Sequence, residues 1–239
     1  MPRRTKTQAL GQHFLLDRRV LARILDASAV GKGETVCEAG TGNGILTGEL
    51  CRRAKRVVSY EIDRALYASA KAALVFQNLE LVNADLFRRD EQFFDVFVSN
   101  LPYSKSRDAV EWLATKKFNR AIVMVQKEFA DKLSAKPGDP NYRAVSAIAS
   151  YCFSIEQLFD VDKGCFQPPP LVESTVIRAT LKHPITREAV KNVNRLFSQR
   201  NKRASTVAAR LGVSMDFGGD RRVDQLAPEQ IIALAKVIK

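Results

Sequence analysis

The stretch VCEAGTGNG, residues 36–44, lies between an apolar run and a helix-like segment. Its glycines, Gly40, Gly42 and Gly44, let the backbone turn tightly and approach a ligand closely, as the first βα turn of a nucleotide-binding sheet requires. Glycine-rich turns are common, so this stretch alone does not identify a ligand. Its G-x-G-x-G spacing departs from the dinucleotide fingerprint G-x-G-x-x-G, which argues against NAD.

Around this turn, short apolar runs alternate with helix-like stretches. The strand-like runs are residues 35–38, 57–62, 79–83, 96–99, 121–125, 156–161 and 174–181. The helix-like stretches are residues 64–74, 108–114 and 143–151, and Asp17 is placed to cap an earlier helix. This alternation is typical of βαβ units, so it predicts an α/β fold with a mostly parallel, Rossmann-like sheet.

The C-terminal part of the chain has a different pattern. Three helical segments follow one another at residues 187–198, 202–211 and 228–237, the last with proline in its first turn. We therefore predict a domain boundary within residues 182–186. It separates a first domain, residues 1–183, from a small all-helical domain, residues 184–239.

Two carboxylates follow the second and third predicted strands. Glu61 comes about twenty residues after the glycines, where an acidic side chain can accept hydrogen bonds from both ribose hydroxyls. Asp85, in the sequence NADL, is placed to meet the edge of an adenine. Either carboxylate alone is more often a solvated residue or a helix cap. Together with the glycines they favour a nucleoside site at three consecutive strand ends.

The sequence SNLPY, residues 99–103, follows the fourth apolar strand and indicates chemistry on an amine. The exocyclic amine of adenine is a poor nucleophile because its lone pair is delocalised into the ring. Acceptors aimed at its hydrogens favour the pyramidal, reactive form, and the Asn100 side-chain oxygen and the Leu101 carbonyl can serve. Pro102 fixes the turn, and Tyr103 can stack on a base taken out of its helix. A plain strand-ending turn with a packed tyrosine is the alternative.

Six motifs together resemble one family. They are GQHFLLD at 11–17, EAGTGNG at 38–44, YEID at 60–63, NADL at 83–86, NLPY at 100–103 and FQPPPLVES at 166–174. This order resembles the rRNA adenine N6,N6-dimethyltransferases over nearly the whole chain. LFSQRNKR at 196–203 resembles the small-subunit (KsgA-type) branch, and His13 is similar to its archaeal and eukaryotic members. The residues 104–106, Ser-Lys-Ser, depart from the less charged sequence of many relatives.

The resemblance implies a class I methyltransferase domain that binds S-adenosylmethionine, and it implies which residues hold that cofactor and the target. Gln12, His13 and Leu15 would line the methionine end, Glu61 would hold the ribose and Asp85 the adenine amine. The full set of candidate cofactor residues is Gln12, His13, Leu15, Glu38, Gly40, Gly42, Gly44, Glu61, Ile62, Asp85, Leu86 and Asn100. The candidate catalytic residues are Asn100, Leu101, Pro102, Tyr103 and Phe166, of which Phe166 would stack on the target opposite Tyr103. From the residues alone, Phe166 reads as a core aromatic and His13 as a capping or surface residue.

The net charge of +12 is concentrated at the two ends of the chain. Residues 1–30 carry +4 and residues 182–239 carry +7, which leaves the part between them close to neutral. A solvated basic face is the ordinary explanation for such runs, but a neutral body with basic ends favours binding to a polyanion. Arg200, Lys202 and Arg203, at a junction between predicted helices, are the candidate RNA-binding residues.

The remaining composition predicts a soluble, cytoplasmic protein without a metal. The four cysteines form no C-x-x-C pair and only two histidines are present, so we expect reduced thiols and no metal site. No apolar run reaches the ~20 residues that a membrane helix needs, and the N-terminus lacks the apolar core of a secretory signal. We expect a monomer.

The expected function is dimethylation of N6 of two adjacent adenosines in a hairpin loop near the 3′ end of small-subunit (16S-type) rRNA, within a pre-ribosomal particle. Two other classes stay open on the residues. One is methylation of adenine N6 in large-subunit rRNA or in DNA. The other is a non-catalytic RNA-binding assembly factor with the same fold.

Overall fold

Spatial contacts divide the chain into two units that are each built from several segments of sequence. The structure is a computed structural model that describes residues 13–90, 93–214 and 220–238. The first unit takes the described residues of Met1–Ser106, Lys117–Lys127 and Glu156–Thr180. The second takes those of Arg107–Lys116, Glu128–Ile155 and Leu181–Lys239, so the chain enters it three times.

The first unit is built on a mainly parallel sheet. Within the described residues the strands are β1 (Phe14–Leu15), β2 (Thr35–Ala39), β3 (Arg56–Tyr60), β4 (Leu79–Val82), β5 (Val96–Asn100), β6 (Arg120–Gln126), β7 (Phe153–Val161), β8 (Phe166–Gln167) and β9 (Ser174–Leu181). Seven of them form one sheet in the order β4-β3-β2-β5-β6-β9-β7, and β1 pairs with β8 in a small antiparallel sheet. The neighbours from β4 to β6 are parallel, whereas β9 is antiparallel to β6. The predicted α/β fold is confirmed.

The helices agree with most of the predicted segments. They are α1 (Arg18–Ser28), α2 (Ile45–Arg53), α3 (Arg64–Ala73), α4 (Ser106–Leu113), α5 (Lys127–Leu133), α6 (Ala144–Cys152), α7 (Arg187–Phe197), α8 (Ala204–Arg210) and α9 (Pro228–Val237). Predicted and observed ends differ by one or two residues at most positions, and β7 begins three residues before its predicted start. Helix α5 and the strand pair β1–β8 have no counterpart in the sequence prediction.

Helix α1 shows how the sequence sets an element. Asp17 accepts hydrogen bonds from the backbone N–H groups of Arg19 and Val20 at 2.7 and 3.1 Å, so it caps the helix as predicted. The apolar face then buries Val20, Leu21, Ile24 and Leu25 in the core of the first unit. Full burial of such a side chain contributes roughly 1.5–3 kcal/mol, which outweighs the weak helix propensity of the valine and isoleucine.

The second unit is helical within its described residues, apart from the ends of β7 and β9. Helix α9 packs on α6 and α7, and nearly every residue of α6 is buried. The amide of Asn192 is also buried, and it donates to the carbonyls of Ala235 and Ile238 at 3.0 and 3.1 Å. This side chain therefore satisfies the last carbonyls of α9, which have no partner inside the helix.

The predicted domain boundary between residues 183 and 184 stays a prediction. The last segment of the second unit starts at Leu181, close to that boundary, but the unit also includes Arg107–Lys116 and Glu128–Ile155. The two units are defined by which segments contact each other in space, whereas a single boundary in the sequence can only separate one continuous stretch of chain from the next.

Candidate active site

The strand order creates a crevice beside β2. The chain runs outward from β2 through β3 and β4, and then returns to place β5 on the other side of β2. In open α/β sheets, ligands bind at the carboxyl ends of the strands where the order reverses in this way. The register aligns Ala39 with Tyr60 and Tyr60 with Val82, so the residues that follow these three strands emerge at one edge.

A cavity lies at this edge; it encloses about 950 Å³ of empty space, part of which is open to solvent. It is lined by Phe14, Leu15, Leu21, Glu38, Ala39, Gly40, Thr41, Gly42, Asn43, Ile45, Leu46, Tyr60, Glu61, Ile62, Ala84, Asp85, Leu86, Phe87, Asn100, Leu101, Pro102 and Lys105. All of these residues belong to the first unit.

The glycine turn lies along this cavity, and its glycines have different reasons to be glycine. Gly40 has φ +83°, and its N–H donates to the Tyr60 carbonyl at 2.7 Å. A methyl group added at Gly40 would have its nearest atom 3.8 Å away, so the conformation rather than the space requires glycine there. Gly44 does not line the cavity, and a methyl group added to it would lie 2.9 Å from Leu74 Cδ1. Close packing against Leu74, the residue after α3, therefore requires a residue without a side chain at position 44.

Glu61 is fixed by two backbone groups. Its Oε2 accepts from the Gly42 N–H and its Oε1 from the Asp63 N–H, both at 2.9 Å. The side chain is buried but lines the cavity. A carboxylate has about four lone-pair sites, so each oxygen can still accept from a ligand hydroxyl. This geometry suits the pair of ribose hydroxyls expected from the sequence.

Glu38 lies deeper, at the end of β2. Its Oε2 accepts from the hydroxyls of Thr47 and Ser59, both at 2.6 Å, whereas its Oε1 is buried with no hydrogen-bond partner among the described residues. Burial raises the pKa of Glu38 to about 7; the two hydroxyl donors oppose the rise, and the charge of Glu61 adds to it. A buried oxygen without a partner is rare, and here it belongs to a cavity-lining residue. Glu38 is therefore a cavity-lining residue with one buried oxygen that no described residue satisfies.

Asp85 has the most contacts of the three cavity carboxylates. Its Oδ1 accepts from the Phe87 N–H at 3.0 Å, which caps a short 3-10 turn, Leu86–Arg88. Its Oδ2 lies 3.1 Å from Lys105 Nζ and 3.8 Å from Arg88 Nε. The predicted adenine-binding carboxylate therefore already forms an ion pair with a cavity-lining lysine.

The NLPY sequence borders the glycine turn. A methyl group added at Gly40 would lie 3.8 Å from the Asn100 carbonyl and 3.9 Å from Pro102 Cδ, so the two motifs face each other. Asn100 ends β5, and its Nδ2 donates a long 3.5 Å hydrogen bond to the His13 carbonyl. That contact orients the amide so that Oδ1 is left to accept. Both groups predicted to accept from the target amine, Asn100 Oδ1 and the Leu101 carbonyl, belong to cavity-lining residues.

The two aromatic residues predicted to hold the target base lie elsewhere. Tyr103 is half-buried; its hydroxyl pairs with Ser174 Oγ at 2.6 Å, and its ring centroid is 5.5 Å from that of His13. Burial raises the pKa of the Tyr103 phenol. Phe166 is only 3% exposed and belongs to the core of the first unit, where its backbone pairs with Leu15. Neither residue lines the cavity, and their stacking on a base stays a prediction.

The N-terminal candidates divide between the cavity and its surroundings. Gln12 lies outside the described residues. Leu15 lines the cavity, whereas His13 does not, and His13 Nδ1 pairs with the Pro168 carbonyl at 2.8 Å. His13 therefore links the segment before β1 to the proline-rich loop after β8.

Several lining residues were not predicted from the sequence. Phe14 and Lys105 are the clearest, because both lie inside or beside motifs that were singled out for other residues. Phe14 follows His13 in GQHFLLD, and an alternation along β1 could have indicated it. The charge of Lys105 was recorded as a departure from the family pattern, but its sequence neighbourhood does not reveal its contact with Asp85.

The candidate RNA-binding residues lie in the second unit, where α7 gives way to α8. Lys202 and Arg203 are exposed, and Arg203 Nε pairs with Asp220 Oδ1 at 3.0 Å. Arg200 is partly buried, and its Nη1 lies 3.5 Å from the carbonyls of Pro140 and Tyr142. The three cations lie in one region, but only Lys202 and Arg203 have side chains that are mainly exposed to solvent.

The described residues carry no group of three His, Cys, Asp or Glu side chains arranged to hold a metal ion. None of the helices in this part of the chain is long and apolar enough to cross a membrane. Cys37, Cys51 and Cys152 are buried as free thiols, and burial raises the pKa of Cys51 to about 11.

Comparison with known proteins gives consistent matches over nearly the whole chain. The family model described as "Ribosomal RNA adenine dimethylase" matches residues 3–238. A probable ribosomal RNA small subunit methyltransferase A from Pyrococcus abyssi is 32% identical over 244 residues, which cover 96% of this chain and 91% of that protein. The ribosomal RNA small subunit methyltransferase A of Thermotoga maritima is 34% identical, over 94% of this chain and 82% of that protein. A solved dimethyladenosine transferase from Plasmodium falciparum shares the fold, with a TM-score of 0.76 at 24% identity, over 93% of this chain and 96% of that structure.

Proposed function

This chain belongs to the ribosomal RNA adenine dimethylase family, and from that membership we propose that it methylates N6 of two adjacent adenosines, twice each, in a hairpin loop near the 3′ end of small-subunit rRNA. The observation that carries the proposal is one cavity lined by the glycine turn, Glu61 and Asp85 on one side and by Asn100 to Pro102 on the other. The first group suits a nucleoside, and the second suits an amine.

The cofactor is S-adenosylmethionine, which when bound supplies a methyl group on a positively charged sulfur. The residues present fit it. Glu61 would hold the ribose hydroxyls, Asp85 the adenine amine, and the buried Oε1 of Glu38 offers an acceptor for a donor at the methionine end. The positive φ of Gly40 lets the backbone turn tightly, so that the backbone can approach the bound cofactor closely.

On the target side, the chain acts by positioning. Asn100 Oδ1 and the Leu101 carbonyl would accept from the two hydrogens of N6, which favours the pyramidal amine and stabilises the positive charge that develops on it. The methylated ammonium is acidic and can lose its proton to water, so no general base is required. The second methylation occurs on the same nitrogen, which then has one hydrogen left to donate to one of these two acceptors and which loses that hydrogen as a proton after the transfer.

The substrate must present its adenosines unpaired or flipped out, because N6 is inaccessible inside a helix. We propose that Arg200, Lys202 and Arg203 contact phosphates of this RNA within a pre-ribosomal small subunit. We further propose that the protein acts as a monomer in the cytoplasm. The location is supported only by the class of substrate, since the two relatives described above are named as ribosomal RNA small subunit methyltransferases.

Methyl transfer to defined RNA tests the proposal. Labelled S-adenosylmethionine is supplied with three acceptors: small-subunit particles that lack the modification, the equivalent large-subunit particles, and DNA. We expect label in the small-subunit rRNA alone, as dimethyladenosine at two adjacent positions when the nucleotides are mapped. Label in large-subunit rRNA or DNA instead would identify a different adenine methyltransferase. Cofactor binding without transfer to any acceptor would identify a non-catalytic assembly factor.

A further inference from the structure

The ion pair between Asp85 and Lys105 lies where the proposed function needs a free acceptor. Lys105 Nζ is 3.1 Å from Asp85 Oδ2, and both residues line the cavity. The Asp85 side chain is only 12% exposed and that of Lys105 is 34% exposed, so this pair is shielded from solvent on one side. Arg88 reaches the same oxygen only at 3.8 Å, from a side chain that is 87% exposed.

The two oxygens of Asp85 are not equivalent. Oδ1 caps the 3-10 turn through the Phe87 N–H, and that bond fixes the carboxylate in place. Oδ2 is therefore the oxygen that an adenine amine would approach, and the Lys105 ammonium lies within hydrogen-bond distance of it. The ammonium adds a positive charge to the hydrogen bond that it forms with the carboxylate, whereas an adenine amine brings a neutral donor. The amine must displace the ammonium or share the oxygen with it.

Lys105 is also close in sequence to the target-binding segment. It ends the 3-10 turn Tyr103–Lys105, and its N–H donates to the Pro102 carbonyl at 2.8 Å, so its backbone is fixed directly after NLPY. Its four-carbon side chain is flexible, so the ammonium can move several ångströms while this backbone stays in place. RNA whose target base has reached Asn100 brings phosphates into this neighbourhood, and a phosphate is an anion that the displaced ammonium can contact.

We propose that Lys105 occupies the adenine-amine position on Asp85 until the cofactor binds, and that the displaced ammonium then contacts a phosphate of the RNA. The inference rests on the proposed function and adds a coupling to it. Cofactor binding strengthens RNA binding, and by linkage RNA binding strengthens cofactor binding by the same factor. Lys105 is thus a positioning residue shared by the two substrates.

The first test measures cofactor affinity by calorimetry, without RNA and without turnover, using S-adenosylhomocysteine as the probe. Lys105→Met keeps the length of the side chain and removes the competing charge, so we expect about fivefold tighter binding, the upper range for a partly exposed ion pair. Arg88→Met is the matched control, since it removes a cation that lies near the same oxygen but does not occupy it, and we expect no change. Unchanged or weaker binding by Lys105→Met, or an equal gain in Arg88→Met, overturns the proposal.

The second test measures the affinity for a small-subunit rRNA hairpin fragment at several salt concentrations, with and without S-adenosylhomocysteine. For the unaltered protein we expect the cofactor to raise RNA affinity and to steepen the dependence of log affinity on log salt by about 0.7, one added phosphate contact. In Lys105→Met both effects should disappear. An equal salt slope with and without cofactor in the unaltered protein overturns the coupling. The calorimetric test needs neither rRNA nor methyl transfer. Its result therefore stands even if the proposed function is wrong, so the two failures can be distinguished.

Discussion

The buried environment of the Glu38 carboxyl opposes its negative charge. One of its oxygens is buried without a partner, and burial raises its pKa from 4.5 to about 7. Between these two values the folded protein holds a proton that the unfolded chain has released. The contribution of this proton to stability is complete below pH 4.5 and is lost as pH rises toward 7. The full loss amounts to roughly 3 kcal/mol, at about 1.4 kcal/mol for each pKa unit.

We therefore expect Glu38→Gln to weaken the fall in stability between pH 4.5 and pH 7, because glutamine keeps an acceptor for Thr47 and Ser59 but does not titrate. Urea unfolding at a series of pH values measures this. At pH 8 the variant should be at least as stable as the unaltered protein. A pH profile that keeps its full slope in Glu38→Gln would show that another group carries the dependence.

Asn100 is the residue on which turnover should depend most. Asn100→Ala removes an oriented acceptor from the cavity while leaving the backbone carbonyls of Asn100 and Leu101 in place. The loss of one preorganised group costs on the order of 100- to 1,000-fold in rate. Single-turnover methylation of small-subunit particles gives this number, and calorimetry with S-adenosylhomocysteine checks that the variant still binds cofactor. Near-normal methylation would remove Asn100 from the proposed mechanism.

At the scale of elements, the entry to α2 depends on Gly44. This residue combines φ +78° with a methyl position only 2.9 Å from Leu74 Cδ1, so Gly44→Ala meets both backbone strain and a clash. We expect a loss of about 2–3 kcal/mol in the free energy of unfolding, of which backbone strain accounts for roughly 1–2 kcal/mol. Thermal or urea unfolding measures it.

Two other glycines separate these contributions. Gly138 has φ +90° but nothing within 4 Å of an added methyl group, so Gly138→Ala should show the backbone strain alone. Gly33 has neither problem, and Gly33→Ala should be close to neutral. If Gly44→Ala and Gly138→Ala lost the same stability, the packing of Gly44 on Leu74 would contribute nothing.

The elements also show how far the sequence predicts this structure. The strands β2 to β6 and the helices between them were predictable because each has its own apolar pattern and ends at a recognisable turn or cap. The pair β1–β8 was not, because Phe14 and Gln167 are far apart in sequence and each strand has only two residues. Helix α5 has seven residues, too few to establish a period.

The same distinction applies to the site. Glu61 and Asp85 could be predicted because strand ends in a parallel sheet meet at one edge. The ion pair of Asp85 with Lys105 could not be predicted, because it joins the turn after β5 to the turn after β4, and these two strands are not neighbours in the sheet. The position of Phe166 in the core matches what the residue type alone suggests, and the stacking role that the family resemblance implies stays a prediction.

For the whole molecule, the charge of the second unit should anchor RNA. Lys202 and Arg203 are exposed, whereas Arg200 lies close to the carbonyls of Pro140 and Tyr142 in the loop before α6. Only Lys202 and Arg203 can therefore be changed without disturbing that loop. Lys202→Gln with Arg203→Gln should weaken binding to small-subunit rRNA and lower the salt slope by about 1.4, two contacts' worth. Binding titrations at several salt concentrations measure both, and cofactor affinity should be unchanged.

The control removes the same charge from the first unit. Lys55 and Lys71 are both exposed there, and Lys55→Gln with Lys71→Gln should leave the salt slope close to that of the unaltered protein. The alternative is that Arg203 only pairs with Asp220, at 3.0 Å, and that these cations solubilise the helices. Equal slopes in the two double variants would favour that alternative.

The interleaved course of the chain has a consequence for its synthesis. Helix α6 leaves the ribosome before α7 and α9, the helices that pack on it, yet seven of its nine residues are buried in the finished protein. Until α7 and α9 have emerged, α6 lacks two of the helices that pack on it, although its Ser146 hydroxyl can already donate to the Lys132 carbonyl of α5. The first unit has its last strand by Leu181, so the two units are completed at different times on the ribosome. A released fragment that ends near residue 183 would contain every strand of the sheet but neither α7 nor α9, so the apolar face of α6 that these helices cover would be exposed and prone to aggregation.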